Sequence, residues 1–296
     1  MTQPCVVVVA PAGDSGGMDA DTVSFEPEFT LYDGLRIRYV ASPKPAAESV
    51  MLLSPWPESI YAFIRMWPRL SEEFSLAAVD LPGFGQSDGR ADLMSPRRMG
   101  EFVVEIADEL GLGQPHAVGP DVGTGALLFA AATHPRAFRS LIVGAGAATF
   151  PLHVDGALKA FIDAPSIDDF RAADPGAIVR SAIASIRNYD VPDAVSDDYV
   201  ESYSGERFLD SIAYVRSYPA DLGDLSSRLA RISTPVQIIV GRDDPYGLAA
   251  DGQLLHEQLP HSRLDVFDCG HNAWEEDPVR YSSVVTSWIK GGFQGT

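Results

Sequence analysis

The chain has 296 residues, 46% of them hydrophobic and 21% charged, which is enough for one large α/β core carrying a lid. Its formal net charge of −19 repels phosphate backbones and anionic membranes, so nucleic acid and membrane surfaces are not expected partners. The two cysteines, Cys5 and Cys269, are too few and too far apart for a disulfide framework or a metal cluster.

The first apolar run, Cys5 to Pro11, is short and has no Lys or Arg before it. It reads neither as a signal peptide nor as a membrane span, and a cytoplasmic location is the expectation. Residues 1–24 read as an extension. They contain Gly13-Asp14-Ser15-Gly16-Gly17, which has the spelling of a serine-hydrolase motif without a strand before it or a helix after it. Phe29–Asp33 and Leu35–Ser42 flank the turn dipeptide Asp33-Gly34 and predict a hairpin. Ser49–Ser54 predicts a strand, about Ser59–Phe74 a helix, Leu76–Asp80 a strand and Ser95–Leu110 a helix. Further strands are expected at His116–Val118, Ser140–Ala145, Val236–Val240 and Arg263–Phe267, with a small-residue helix over Thr124–Thr133.

Apolar runs without alternation, spaced by helices, indicate a mostly parallel sheet covered on both faces. Between Phe150 and Asp224 such runs give way to acidic, tyrosine-bearing helical segments. The expected division is an extension at 1–24, an α/β core at 25–149 and 225–296, and an inserted helical cap at 150–224. Insertions of this length in α/β domains are usually active-site lids.

Gly119-Pro120-Asp121-Val122-Gly123 joins the strand to the small-residue helix. That is the setting of a nucleophile elbow, with glycines allowing a tight turn and close helix packing. Its occupant is Asp121. A carboxylate is already ionised at neutral pH, attacks saturated carbon, and leaves an ester that water must cleave. Asp121 alone could also be a helix cap. Two later segments favour chemistry. Gly241-Arg242-Asp243-Asp244-Pro245 and Gly270-His271-Asn272 each follow a predicted strand, at the sheet edge where ligands bind in open α/β folds. The order nucleophile, acid, histidine is that of a hydrolase triad.

With the elbow, Val79-Asp80-Leu81-Pro82-Gly83-Phe84-Gly85-Gln86-Ser87-Asp88, Gly241 to Pro245, and Gly270-His271 followed by Glu276 and Pro278, the chain resembles the α/β-hydrolase superfamily over about residues 25–290. The Asp nucleophile and Trp56-Pro57-Glu58-Ser59 resemble its branch of epoxide hydrolases and haloalkane dehalogenases. The resemblance implies Asp121 as nucleophile, His271 as general base and Asp244 as the acid orienting it. It also implies an oxyanion hole from the backbone amides of Trp56 and Val122, and Tyr214 as a candidate proton donor. Ser54-Pro55 stands where the family normally begins His-Gly, and the first of its two cap tyrosines has no counterpart near Pro165–Phe170. The Val122 side chain gives no halide ligand after the nucleophile, although the Trp56 indole N–H could serve.

The expected function is therefore opening of an epoxide to a diol through a covalent ester. Haloalkane dehalogenation and a non-catalytic scaffold binding a small ligand are the alternatives. The expected substrate is small, neutral and hydrophobic. No metal or organic cofactor is implied, and a homodimer is compatible with the sequence.

Overall fold

The computed structural model describes residues 25–43 and 45–291; the predicted extension and its Gly13-to-Gly17 motif lie outside the described residues. Eight strands form one sheet: β1 (Glu28–Tyr32), β2 (Leu35–Ala41), β3 (Ser49–Leu53), β4 (Ser75–Val79), β5 (His116–Pro120), β6 (Ser140–Gly144), β7 (Val236–Gly241) and β8 (Ser262–Phe267). Their order is β1-β2-β4-β3-β5-β6-β7-β8. The pairs β1–β2 and β2–β4 are antiparallel, and every other pairing is parallel. Every residue of β5, β6 and β7 is buried, which is why their sequences run apolar without alternation. At one edge, β1 is largely exposed, and its Phe29 ring lies under the Arg36 guanidinium.

The helix predicted over Ser59–Phe74 is instead two short pieces, a 3-10 turn at Ile60–Phe63 and a helix at Trp67–Ser71. Pro68 opens the second piece. It suits a first turn, where its missing N–H is not needed, but it cannot continue a helix arriving from upstream. The elbow is also tighter than the pattern indicates, because β5 runs to Pro120 and the next helix starts at Val122.

Between β6 and β7 the chain is helical, with helices at Gly156–Asp163, Pro175–Ile183, Asp193–Ser202, Arg207–Arg216 and Tyr218–Ser226. Buried polar contacts fasten them over the carboxyl edge of the sheet. Arg38, only 3% exposed, pairs with Asp80 at 2.5 Å and with Asp198 of the helix Asp193–Ser202 at 2.7 Å. Asp80 also accepts the amides of Ile60 and Gln86 at 2.8 and 2.9 Å. Gly85 is required beside it: a Cβ there would lie 2.0 Å from the Asp80 carboxyl carbon. The Asp-Leu-Pro-Gly-Phe-Gly segment thus owes its spelling to one buried carboxylate that joins two loops and, through Arg38, a helix above them. Among the described residues, no helix is long and apolar enough to cross a membrane.

Candidate active site

Four loops leave the carboxyl ends of β3, β5, β7 and β8 and converge, as the geometry of a parallel sheet requires. Asp121 sits between β5 and its helix at φ 51°, ψ −122°, a conformation costly for a residue with a Cβ and typical of a strained elbow. Close packing maintains it. At Gly119 a Cβ would meet Leu127 at 2.6 Å, and at Gly146 one would meet the Asp121 carbonyl oxygen at 2.0 Å.

The Asp121 carboxylate has two unlike sides. Its Oδ2 accepts the Trp56 backbone N–H at 2.6 Å, and the Val122 N–H donates to the same carboxylate. Its Oδ1 lies 3.9 Å from His271 Nε2. Ser54-Pro55 leaves this arrangement intact, since Trp56 keeps its N–H. The other ring nitrogen of His271, Nδ1, is 2.8 Å from Asp244 Oδ2. The Asp244 side chain is fully buried, and its Oδ1 accepts the Tyr246 amide at 2.8 Å. Asp243 instead faces outward and pairs with Arg187 at 2.8 Å, about half exposed.

Burial pushes the Asp121 carboxyl up to about 6, against the lowering effects of His271 and the two amides. Burial opposes the charged form of His271, but the Asp244 carboxylate and, after it, Asp121 hold the imidazole at about 9. Around neutral pH the resting pair is therefore a carboxylate beside an imidazolium.

The groups open onto a cavity of about 310 Å³ whose walls include Trp56, Phe161, Ile178, Phe208 and Leu248. Trp56 stacks on Phe208 at 5.6 Å and meets the edge of Phe161 at the same distance. The character is apolar, with Ser181, Ser185, Tyr246, Glu58 and Asn272 also at the wall.

Asp121, His271, Asp244, and the amides of Trp56 and Val122 are thus brought together. Tyr214 is not. Its hydroxyl donates to the Val122 carbonyl at 2.8 Å, and its ring is fully buried against Phe84 and Tyr218. The expected proton donor is corrected to an internal strut of the elbow helix. Tyr214→Phe should cost about 1 kcal/mol of stability and leave kcat within roughly threefold, whereas a proton donor contributes about 100-fold or more. Urea unfolding and steady-state rates measure the two effects. The Trp56 indole N–H is likewise committed, donating to Ser211 Oγ at 2.8 Å. Tyr189, Tyr199, Tyr203 and Tyr218 also stay out of the cavity wall, and the tyrosine found there is Tyr246. Its place beside Asp244 was the available signal. Glu58, at the cavity wall, lay inside the Trp56-to-Ser59 motif without a role assigned to it.

Residues 48–278 match the family described as alpha/beta hydrolase fold. A 2-hydroxy-6-oxononadienedioate/2-hydroxy-6-oxononatrienedioate hydrolase of Pseudomonas putida is 25% identical over 245 residues, covering 75% of this chain and 79% of its own. Among solved structures, the epoxide hydrolase CorEH superposes with a TM-score of 0.74 at 19% identity, over 90% of this chain and 98% of that one. A haloalkane dehalogenase variant from Bradyrhizobium elkanii superposes with the same score at 20% identity, over 90% and 97%. At such identities the structural likeness shows the fold.

Proposed function

The chain belongs to the α/β-hydrolase fold family and is a hydrolase, and we propose that it acts through an ester formed on Asp121, opening an epoxide to a diol. One observation carries this reading: the elbow holds a carboxylate whose Oδ2 accepts the Trp56 amide while Oδ1 faces His271. Oδ1 is the free nucleophile. Its attack on a substrate carbon breaks the bond to the leaving oxygen and makes an ester whose carbonyl oxygen, Oδ2, already occupies the oxyanion site. Water then attacks the ester carbonyl with His271 as base and Asp244 orienting the ring.

Esterification itself prepares His271 for that step. The Asp121 charge helps to keep the imidazole protonated, and it vanishes when the ester forms, so the ring loses a proton more readily. The alternatives fit less well. The Trp56 indole, the donor considered for a halide, is bound to Ser211, and a pure ligand-binding scaffold needs no His271–Asp244 dyad. The apolar walls favour a neutral hydrophobic substrate. A panel of aryl and alkyl epoxides and matching halides, read for diol and for released halide, tests the reaction type. Diol from the epoxides is the expected result, and halide release without diol would replace this reading by dehalogenation.

The pH dependence follows from Asp121. Its folded pKa is raised to about 6, so the nucleophilic carboxylate is present above that pH and is lost as pH falls through it. The rate of ester formation should drop roughly tenfold per pH unit below about 6, measured in single turnovers with excess enzyme.

A further inference from the structure

A second pair of carboxyl groups stands beside the first. Glu58 lines the cavity yet is only 3% exposed, and Glu275, 1% exposed, lies behind it. Glu58 Oε2 accepts the Trp274 indole N–H at 2.9 Å, and its Oε1 accepts the Asn272 amide. Glu275 Oε1 accepts the Tyr199 hydroxyl at 3.0 Å, while its buried Oε2 receives no protein donor. Glu58 and Glu275 are close enough for the charge of each to act on the other. Two carboxylates placed so repel, and one proton held by the pair relieves the repulsion. Neither side chain is ion-paired. Arg65, the nearest guanidinium, donates to the Glu275 backbone carbonyl.

We propose that Glu58 and Glu275 share one proton, and that Glu58 delivers it to the oxygen leaving the substrate when Asp121 attacks. This deepens the covalent reading above and rests on it. It supplies the acid that Tyr214, turned away from the cavity, does not. Burial, followed by the charge of Glu275, holds the Glu58 carboxyl well above the usual carboxylate range. Burial likewise pushes Glu275 up to about 7. The other titratable groups around the pair are Asp121, His271, Tyr189, Tyr199, Tyr246, Arg65 and Glu276. A carboxylic acid kept neutral beside an ionised one is a recurrent division of acid and nucleophile between two carboxyl groups.

The protons balance. In the first step the Asp121 Oδ1–carbon bond forms, the epoxide carbon–oxygen bond breaks, and its oxygen takes the Glu58 proton. Before the second step the His271 imidazolium, its Asp121 counter-charge gone, passes its proton to the emptied Glu58–Glu275 pair. Water then attacks the ester carbonyl and gives one proton to His271. The ester carbon–oxygen bond to the substrate breaks, and the departing oxygen takes that proton from His271. The second water proton, left on the Asp121 carboxyl, returns to His271 and restores the imidazolium. Substrate and water enter, diol leaves, and every group regains its starting state.

The test compares two probes in a His271→Gln background, where the ester should accumulate: an aryl epoxide, whose leaving oxygen needs a proton, and the matching aryl-alkyl bromide, whose leaving halide does not. The rate of adduct formation on the Asp121 peptide is followed by mass spectrometry. Adding Glu58→Gln should lower the epoxide-to-bromide rate ratio on the order of 100-fold. Adding Glu275→Gln, which places an amide donor against Glu58 and favours its ionised form, should lower the ratio in the same direction and serves if the first variant does not fold. An unchanged ratio in a folded variant, or a ratio lowered instead by Tyr246→Phe alone, overturns the assignment of Glu58. Absence of any adduct with both probes in the His271→Gln parent is a different result, since it removes the covalent reading and the proposal with it.

Discussion

Asp121→Asn should lower turnover by at least about 10⁴-fold, because it removes the nucleophile while keeping the shape of the side chain. An amide nitrogen or oxygen in the position of Oδ1 cannot form the ester, yet the strained elbow, the Trp56 amide contact and the cavity walls are all retained. The variant should therefore still bind substrate and unfold near the wild-type midpoint. Steady-state rates taken on fresh protein, before any deamidation back to Asp, provide the check. Retention of more than about a hundredth of the wild-type rate would remove Asp121 from the chemistry.

His271→Gln should divide the reaction in two. Ester formation needs Asp121 and an acid for the leaving oxygen, and it should continue. Ester hydrolysis needs a base for water, and it should slow by about 10²–10⁴-fold. An adduct of enzyme plus substrate should then accumulate, visible as a mass increase on the peptide that contains Asp121. Asp244→Asn should slow the same second step, since Asp244 orients the ring at 2.8 Å. The outward-facing Asp243, paired with Arg187, should be replaceable with little effect.

The sheet was legible because its central strands are buried on both faces, and a continuous apolar run between helices has few other solutions. The elbow was legible for a local reason: strand, tight turn and small-residue helix all lie within the span from His116 to Thr133. Tyr214 shows where such reading ends. Spacing from Asp244 places it in the right helix, but not on a particular side of it. Phe208 of that helix reaches the cavity. Tyr214, six residues on, is turned about 120° around the axis at 3.6 residues per turn, toward Phe84 and the Val122 carbonyl. The break at Pro68 was present in the sequence and outweighed by the apolar pattern around it. The Glu58–Glu275 pairing could not be read at all, because its two residues come from opposite ends of the sequence. A glutamate in a polar-looking segment gives no local sign that it will be buried.

In the proposed reaction Asp121 carries the substrate as an ester, and water attacks the Asp121 carbonyl carbon. Turnover of an epoxide in heavy-oxygen water tests this most directly, with the Asp121 peptide and the diol both examined by mass spectrometry. The Asp121 carboxylate should gain heavy oxygen over repeated turnovers, while diol from the first turnover should carry the light oxygen of Oδ1. An Asp121 peptide that stays unlabelled after many turnovers, with heavy oxygen appearing in the first diol released, would show water attacking the substrate itself and would rule out the Asp121 ester.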